Sequence, residues 1–139
     1  MKHPRFEILD HTADIGLAAY GADLKEAFAS AAYGMFSIIA ELDRVGARVK
    51  RRVEVSAPDQ KELLVAWLNE LLYLFDAENL LLSRFEVEEM EPGHLTATVA
   101  GERANPQRHG MKTAIKSATY HMLEIKEGDG VRVQVIFDL

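Results

Sequence analysis

Residues 23–39 read DLKEAFASAAYGMFSII, and this stretch decides the fold. Its apolar residues recur at the three- and four-residue spacing that places them on one face of an α-helix. Those residues are Leu24, Ala27, Phe28, Ala31, Ala32, Met35, Phe36, Ile38 and Ile39. Asp23 stands where an N-cap residue accepts from free backbone N–H groups, and Glu26 can reach back from three residues later. The stretch predicts an amphipathic helix.

A second stretch repeats this pattern. Asp59 and Glu62 have the same spacing as the first capping pair, and Pro58 precedes them. The apolar residues that follow again occur at helical spacing. They are Leu63, Leu64, Trp67, Leu68, Leu71, Leu72 and Phe75. We predict a second amphipathic helix here.

Most of the remaining chain alternates between apolar and polar residues, which predicts β-strands. The apolar positions are Phe6 and Ile8; Ile15, Leu17 and Ala19; Val49, Val53 and Val55; Phe85 and Val87; Leu95, Ala97 and Val99; and Val131, Val133, Val135 and Phe137. Pro92-Gly93 predicts a hairpin turn. Residues 116–125 are expected to pair with the last strand, although residues 111–123 also fit a helix. The pattern predicts an α+β fold over residues 1–139, a single domain with two helices packed on a largely antiparallel or mixed sheet.

Composition narrows the function. The 139 residues carry 16 Lys and Arg against 22 Asp and Glu, a net charge of −6, which argues against a generic binder of polyanions. The absence of cysteine excludes thiolate chemistry and leaves oxygen or imidazole to hold a metal. Charged residues at the start and short apolar runs predict a cytoplasmic protein that is neither exported nor inserted in a membrane.

The first candidate site is the segment from Asp10 to Gly16, DHTADIG, between two predicted strands. The carboxylates of Asp10 and Asp14 and the imidazole of His11 can converge on a cation or a substrate at a chain reversal. A turn in which Asp and Thr side chains bond local backbone N–H groups explains the same residues, and spacing alone favours it.

The second candidate is the end of the last strand, Asp138-Leu139. If that strand is central in the sheet, Asp138 and a main-chain carboxylate at Leu139 lie close together, and a hard cation between them would relieve their repulsion. The alternative is an exposed end with solvated charges.

The third candidate is the loop region between residues 101 and 116. Its charged residues could grip a phosphate or an acidic partner, although ordinary solvated surface charges are the favoured interpretation. They are Glu102, Arg103, Arg108, His109, Lys112 and Lys116. The basic run from Arg48 to Arg52 is interpreted as the wet face of a strand. Nucleotide-binding glycine loops, nucleophile elbows and HExxH zinc motifs do not occur in the sequence.

Several strings together resemble the archease family, and the resemblance covers nearly the whole chain. They are FEILDHTADIGL at 6–17, Tyr20-Gly21, the helix from Leu24 to Phe36, Arg108-His109-Gly110, IKSATYH at 115–121 and VIFDL at 135–139. The HTADIG string is the most specific of them.

The resemblance implies a protein cofactor rather than an enzyme. Archeases assist the GTP-dependent RtcB-type RNA ligase of tRNA splicing; they promote guanylylation of the ligase and its multiple turnover. The expected contact with the ligase is transient, GTP is used by the ligase, and tRNA is reached only through it.

By the same resemblance, a divalent cation is held by Asp14, Asp138 and Leu139. Calcium is the expected ion, with Mg²⁺ or Mn²⁺ as alternatives at an all-oxygen site. Lys116 joins Asp14 and Asp138 as a position needed for ligase activation.

Three further residues, Asp10, His11 and His109, are expected to support the site. Such a site requires the first chain reversal and the end of the last strand to lie on the same rim of the sheet. The alternative function is a metal-dependent hydrolase or nucleotide-processing enzyme that uses the same carboxylates to activate water.

Overall fold

The computed structural model describes residues 5–10 and 14–139, and every side chain within these ranges except that of Asp10. In chain order these ranges form β1 (Arg5–Asp10), β2 (Ile15–Gly21), α1 (Leu24–Ile39), β3 (Val49–Ser56), α2 (Gln60–Glu78), β4 (Leu80–Glu91), β5 (His94–Arg103), α3 (Pro106–His109), β6 (Ser117–Gly128) and β7 (Gly130–Asp138). A short 3₁₀ helix, Leu42–Arg44, follows α1. The two predicted helices and seven predicted strands are confirmed; the sequence did not predict α3 or the 3₁₀ helix.

The strands form two antiparallel sheets rather than the one expected. The first has the order β1-β2-β7-β6 and the second the order β3-β5-β4. All of their described strand pairs are antiparallel. The α+β class is therefore confirmed, while the division into two sheets is new. It arises because each long helix packs against strands of both sheets.

The helix α1 is buried over most of its circumference. Towards the four-stranded sheet, Gly34 lies so close to β2 that a Cβ there would be 2.8 Å from Cδ1 of Leu17. On another side, the ring of Phe36 packs against Phe85 of β4, with ring centroids 5.7 Å apart. The predicted apolar face buries all of the expected residues except Leu24, which is half-buried. Ser30 and Gly34 are buried as well, since α1 has neighbours on more than one side.

The helix α2 is tied to both α1 and the edge of the four-stranded sheet. The indole Nε1–H of Trp67 donates to the carbonyl oxygen of Phe28 at 2.9 Å in the buried interior. The side chain of Asn69 accepts from the N–H of Ala118 at 2.7 Å and donates to the carbonyl of Ala118 at 3.2 Å. The side-chain amide of Asn69 therefore satisfies the two backbone groups of Ala118 that a neighbouring strand would otherwise pair with.

The capping predictions are confirmed. The carboxylates of Asp23 and Asp59 accept from the backbone N–H groups of Glu26 and Glu62, both at 2.9 Å. Glu26 reaches back to accept from the N–H of Ala22 at 2.7 Å. Within the described ranges, no helix has both the length and the apolar character needed to cross a membrane.

The segment that fitted both a helix and a strand is a strand from Ser117 onwards. Strand pairing with β7 is interrupted between Thr119 and Glu124, where Met122 adopts a positive φ of 54°. The amide of Gln134 donates to the carbonyl of Met122 at 3.0 Å, which holds this bulge. Its hairpin partner β7 lies between β2 and β6 in the four-stranded sheet and extends to Asp138.

Replacing Trp67 with Phe is expected to lower the free energy of unfolding by about 1–3 kcal/mol or more, because the buried donor to the Phe28 carbonyl is removed and the smaller ring leaves a cavity. Urea unfolding followed by circular dichroism measures the change. Tyr73→Phe, at an exposed position of the same helix, is the control and should shift stability by no more than about 0.5 kcal/mol. Equal effects of the two substitutions would contradict a stabilising role for the Trp67 hydrogen bond.

Candidate functional site

One end of the four-stranded sheet brings together residues that are far apart in the sequence. Ile15, at the start of β2, pairs with Phe137, near the end of β7. The next residues outward are Asp14 and Asp138, and facing residues on antiparallel strands have Cα atoms about 4.5–5.5 Å apart. The first chain reversal and the last strand end therefore lie on the same rim, as the predicted site requires.

The opposite side of β7 adds Lys116 to this rim. Ser117 pairs with Asp138, and the backbone N–H of Lys116 donates to the carbonyl oxygen of Asp138 at 2.8 Å. Leu139 follows directly. We refer to Asp14, Lys116, Asp138 and Leu139 together as the rim site. The backbone register places all four predicted residues at one end of the sheet.

The side chains of the rim site are accessible. Asp14 is half-buried, whereas Lys116, Asp138 and Leu139 are exposed. Their donors are carboxylate and main-chain oxygens, the ligands that hard cations such as Ca²⁺ prefer. Nowhere in residues 5–10 and 14–139 do three or more His, Asp or Glu side chains group to hold a metal ion. The described donors for a cation at the rim are thus Asp14, Asp138 and the main-chain oxygens of Leu139.

Of the other polar residues in the first candidate segment, the structure describes only the backbone of Asp10. Asp10 ends β1, and its Cα is paired with Ile15. The side chain of Asp10 and residues His11, Thr12 and Ala13 lie outside what the structure describes. The supporting roles of Asp10 and His11 stay predictions.

The third candidate region contains a buried carboxylate that the sequence interpretation missed. Glu102, at the end of β5, is only 5 % exposed. Its Oε1 accepts from the backbone N–H of Gly46 at 2.8 Å and from Nε2 of His109 at 2.9 Å. The guanidinium groups of Arg48 and Arg108 lie 3.2 and 3.3 Å from the two carboxylate oxygens. The interpretation of this loop as ordinary solvated charge is wrong for Glu102.

These contacts keep Glu102 ionised. The hydrogen bond from the Gly46 N–H, followed by the one from the His109 ring, holds the pKa of this carboxyl below its ordinary value; burial opposes them, and the charge of Arg108 assists. A buried carboxylate with several donors and cations is the arrangement that makes a buried charge tolerable.

His109 has a structural role in this loop. It is 1 % exposed, and its Nδ1 accepts from the backbone N–H of Asn105 at 2.9 Å. The other nitrogen, Nε2, therefore carries the proton that is donated to Glu102. Because both ring nitrogens are engaged, His109 has no lone pair to offer a metal at the rim site. His109 holds residues 102–109 together, and its supporting role at the rim site stays a prediction.

The sequence contained only a weak signal for this arrangement. A glutamate in the polar phase of the alternation near the end of a strand, followed seven residues later by a histidine, is too common to predict a buried pair. The contribution of Gly46 and Arg48, from a distant loop, has no counterpart in local sequence pattern.

Two antiparallel sheets that enclose a pair of helices, with acidic residues from distant segments meeting at one rim, define a small class of α+β proteins. The family model described as the "Archease protein family (MTH1598/TM1083)" matches residues 6–139. The chain belongs to the archease family.

Individual relatives match over nearly their full length. Protein archease of Methanosarcina acetivorans is 42% identical over 140 residues, which are 97% of this chain and 96% of the relative. That of Methanothermobacter thermautotrophicus is 43% identical over 138 residues, 96% of this chain and 98% of the relative. The solution structure of Methanobacterium thermoautotrophicum protein 1598 superimposes with a TM-score of 0.81 at 40% identity, covering 96% of this chain and 98% of that one. The fold is thus shared with an experimentally determined relative.

The pH dependence of stability tests the Glu102 arrangement. Because the folded-state pKa is lowered, Glu102 contributes stability that is fully present above its unfolded pKa and is lost as pH falls through the folded pKa. Glu102→Gln should therefore be less stable than the parent near neutral pH, and the difference should shrink on acidification. Urea unfolding midpoints measured across the acidic range report both.

The matched control is Glu88→Gln. Glu88 also pairs with an arginine, Arg52 at 3.5 Å, but its side chain is 37% exposed. This substitution should change stability little at any pH, since exposed ion pairs contribute little. A stability difference for Glu102→Gln that does not depend on pH would refute the assignment of an ionised, stabilising carboxylate.

Proposed function

We propose that this chain activates a GTP-dependent RtcB-type RNA ligase in tRNA splicing and is not itself an enzyme. The observation that carries the proposal is membership of the archease family over residues 6–139, to which that role belongs. Convergence of the family's expected functional positions at one rim supports it. In this role the chain promotes guanylylation of the ligase and its repeated turnover.

The cation that we propose for the rim site fits the donors present there. Asp14, Asp138 and a main-chain oxygen of Leu139 would hold it, and all are hard oxygen ligands. When bound, a divalent cation at this position supplies positive charge that can neutralise phosphate oxygens. Calcium is the ion we expect, with Mg²⁺ or Mn²⁺ as alternatives.

Lys116 gives the rim site its second function. Its backbone is anchored by the hydrogen bond to Asp138, while its side chain is exposed. An ammonium group at this place can contact a phosphate or a carboxylate of the partner. We propose that the rim site enters the ligase active site during a transient contact, where Lys116 and the two aspartates arrange its nucleotide and metal.

Substitution of the two aspartates tests this proposal. Asp14→Asn and Asp138→Asn keep the side-chain shape but remove the charges, so each should abolish stimulation of the ligase, while circular dichroism and thermal unfolding remain close to the parent. Incorporation of radiolabelled GMP into the cognate ligase, with this protein in substoichiometric amount, measures stimulation. Calcium binding by calorimetry should weaken in both variants.

Asp43→Asn is the control, because Asp43 is an exposed aspartate of the 3₁₀ helix and lies outside the rim site. It should stimulate the ligase like the parent. Full stimulation by both rim variants would eliminate the site assignment. Incubation of the chain alone with GTP and RNA addresses the alternative: turnover without the ligase would show an enzyme and contradict the cofactor role.

Lys116→Ala separates metal binding from ligase contact. It should reduce stimulation of guanylylation strongly and leave calcium affinity unchanged or slightly higher, since a nearby positive charge is removed. Lys112→Ala, at an exposed lysine whose Nζ lies 3.7 Å from Glu41, is the matched control. Equal stimulation by the two variants would argue against a role for Lys116.

A further inference from the structure

Two arginines from distant segments pair with the buried Glu102, and a third lies beside Gly110 of the same loop. Nε of Arg48 lies 3.2 Å from Oε2 of Glu102, and Nη2 of Arg108 lies 3.3 Å from Oε1. Arg44 adjoins them, because a Cβ placed on Gly110 would be 3.3 Å from its Nη1. We call Arg44, Arg48 and Arg108 the arginine cluster.

The arginine cluster presents positive charge outward over a buried negative charge. The side chains of Arg48 and Arg108 are 73% and 53% exposed, whereas that of Glu102 is 6% exposed. His109 donates a neutral N–H to the same carboxylate and so adds no charge. One carboxylate therefore pairs with two guanidinium groups. Glu41 lies beside Arg44 at Gly110 and pairs with Lys112 at 3.7 Å, so the arginines still outnumber the carboxylates left to balance them.

This excess stands out against the rest of the molecule, whose net charge is −6. Each of these two guanidinium groups lies within ion-pair distance of Glu102, and both side chains remain more than half exposed to solvent. Guanidinium forks match the oxygens of phosphate groups, and holding them in place lowers the conformational entropy cost of binding.

We propose that the arginine cluster is a phosphate-binding site that takes the backbone of single-stranded RNA. Several exposed cations in one place can contact successive phosphates of a single-stranded nucleic acid, whereas a ligand with one carboxylate would engage only one of them. The choice of RNA as the source of the phosphates rests on the proposed function beside an RNA ligase. The phosphate site itself rests on the geometry around Glu102.

The arginine cluster lies close enough to the rim site for RNA binding to matter to the proposed function. The chain leaves Arg108 and, within eight residues, reaches Lys116 of the rim site, a span of at most about 28 Å when fully extended. On the way, the N–H of Lys112 donates to the carbonyl of Ile39 at 2.7 Å, and that of Thr113 donates to Ile38 at 3.2 Å. Ala27 of α1 lies against Gly21 of β2 and Gly34 lies against Leu17, so α1 runs antiparallel to β2 and ends towards the rim. The bonds to Ile38 and Ile39 therefore place this loop at the rim end of the fold. A strand held by the arginines would pass close to the rim site.

Fluorescence anisotropy of the purified full-length chain with a fluorescein-labelled single-stranded RNA of mixed sequence tests the proposal over a series of salt concentrations. Arg44→Ala, Arg48→Ala and Arg108→Ala should each weaken binding several-fold. The slope of log K against log salt should fall in magnitude by about 0.7 for each phosphate that the variant no longer neutralises. Arg52→Ala is the matched control, as Arg52 lies on β3 four residues after Arg48, is 66% exposed and pairs with Glu88.

Substitution of Arg48 or Arg108 also removes a partner of the buried Glu102, so each variant is checked by thermal unfolding. Arg44→Ala keeps the measurement interpretable, because among the described residues Arg44 has no ion pair with Glu102. A charge reversal, Arg44→Glu, should weaken binding further than Arg44→Ala.

The proposal is overturned if the parent chain does not bind the RNA, or if the cluster variants bind as Arg52→Ala does. It is also overturned if a labelled polyglutamate peptide binds the cluster and the RNA does not. The ligase is absent from this measurement, so its outcome is separate from that of the proposed function. Ligase stimulation without RNA binding would contradict the phosphate site alone, and RNA binding without stimulation would contradict the cofactor role alone.

Discussion

Burial of the helix α1 between two sheets is the constraint on which the rest of the molecule depends. A helix that packs on one sheet needs one apolar face, but α1 must satisfy neighbours on several sides at once. Its many small residues permit this, because they let strands approach the helix axis closely. Gly34 meets β2 at a distance that leaves no room for a Cβ, while Phe36 fills the wider space towards β4. Each sheet therefore covers a different side of the same helix.

This arrangement sets the register that builds the rim site. Leu17 of β2 lies under α1, and β2 pairs with β7 along its whole length from Ile15 to Gly21. A slip of one residue would turn the buried side chains of β7 to the wrong face, so burial specifies the register strongly. Because Ile15 and Phe137 are held opposite each other, Asp14 and Asp138 are held at neighbouring strand ends without needing any contact between themselves.

Glu102 organises the neighbouring corner by a different kind of interaction. Its buried charge must be met by donors, and these come from Gly46 before β3 and from the loop that contains His109. The carboxylate thus adds to the backbone contacts between these two segments, which are also joined by the bridge between Ala40 and Met111. The chain that follows His109 is held in place as well. The backbone N–H groups of Lys112 and Thr113 bond to α1, and that of Lys116 bonds to β7. One buried ion cluster therefore supports both the arginine cluster and the approach to the rim site.

Local pattern in the sequence determined the two long helices and most of the strands. The period of the apolar residues located α1 and α2, alternation located the strands other than β6, and Asp23 and Asp59 marked the helix starts. The HTADIG string and the VIFDL ending at 135–139 indicated the family and pointed to Asp14 and Asp138. Only the tertiary structure decided that the strands divide into two sheets, that Glu102 and His109 are buried, and that distant arginines gather around them. The physical reason is the range of the interactions. Periodicity and capping act within a few residues, whereas burial from two sides and the pairing of a buried charge depend on segments that meet only after the chain has folded.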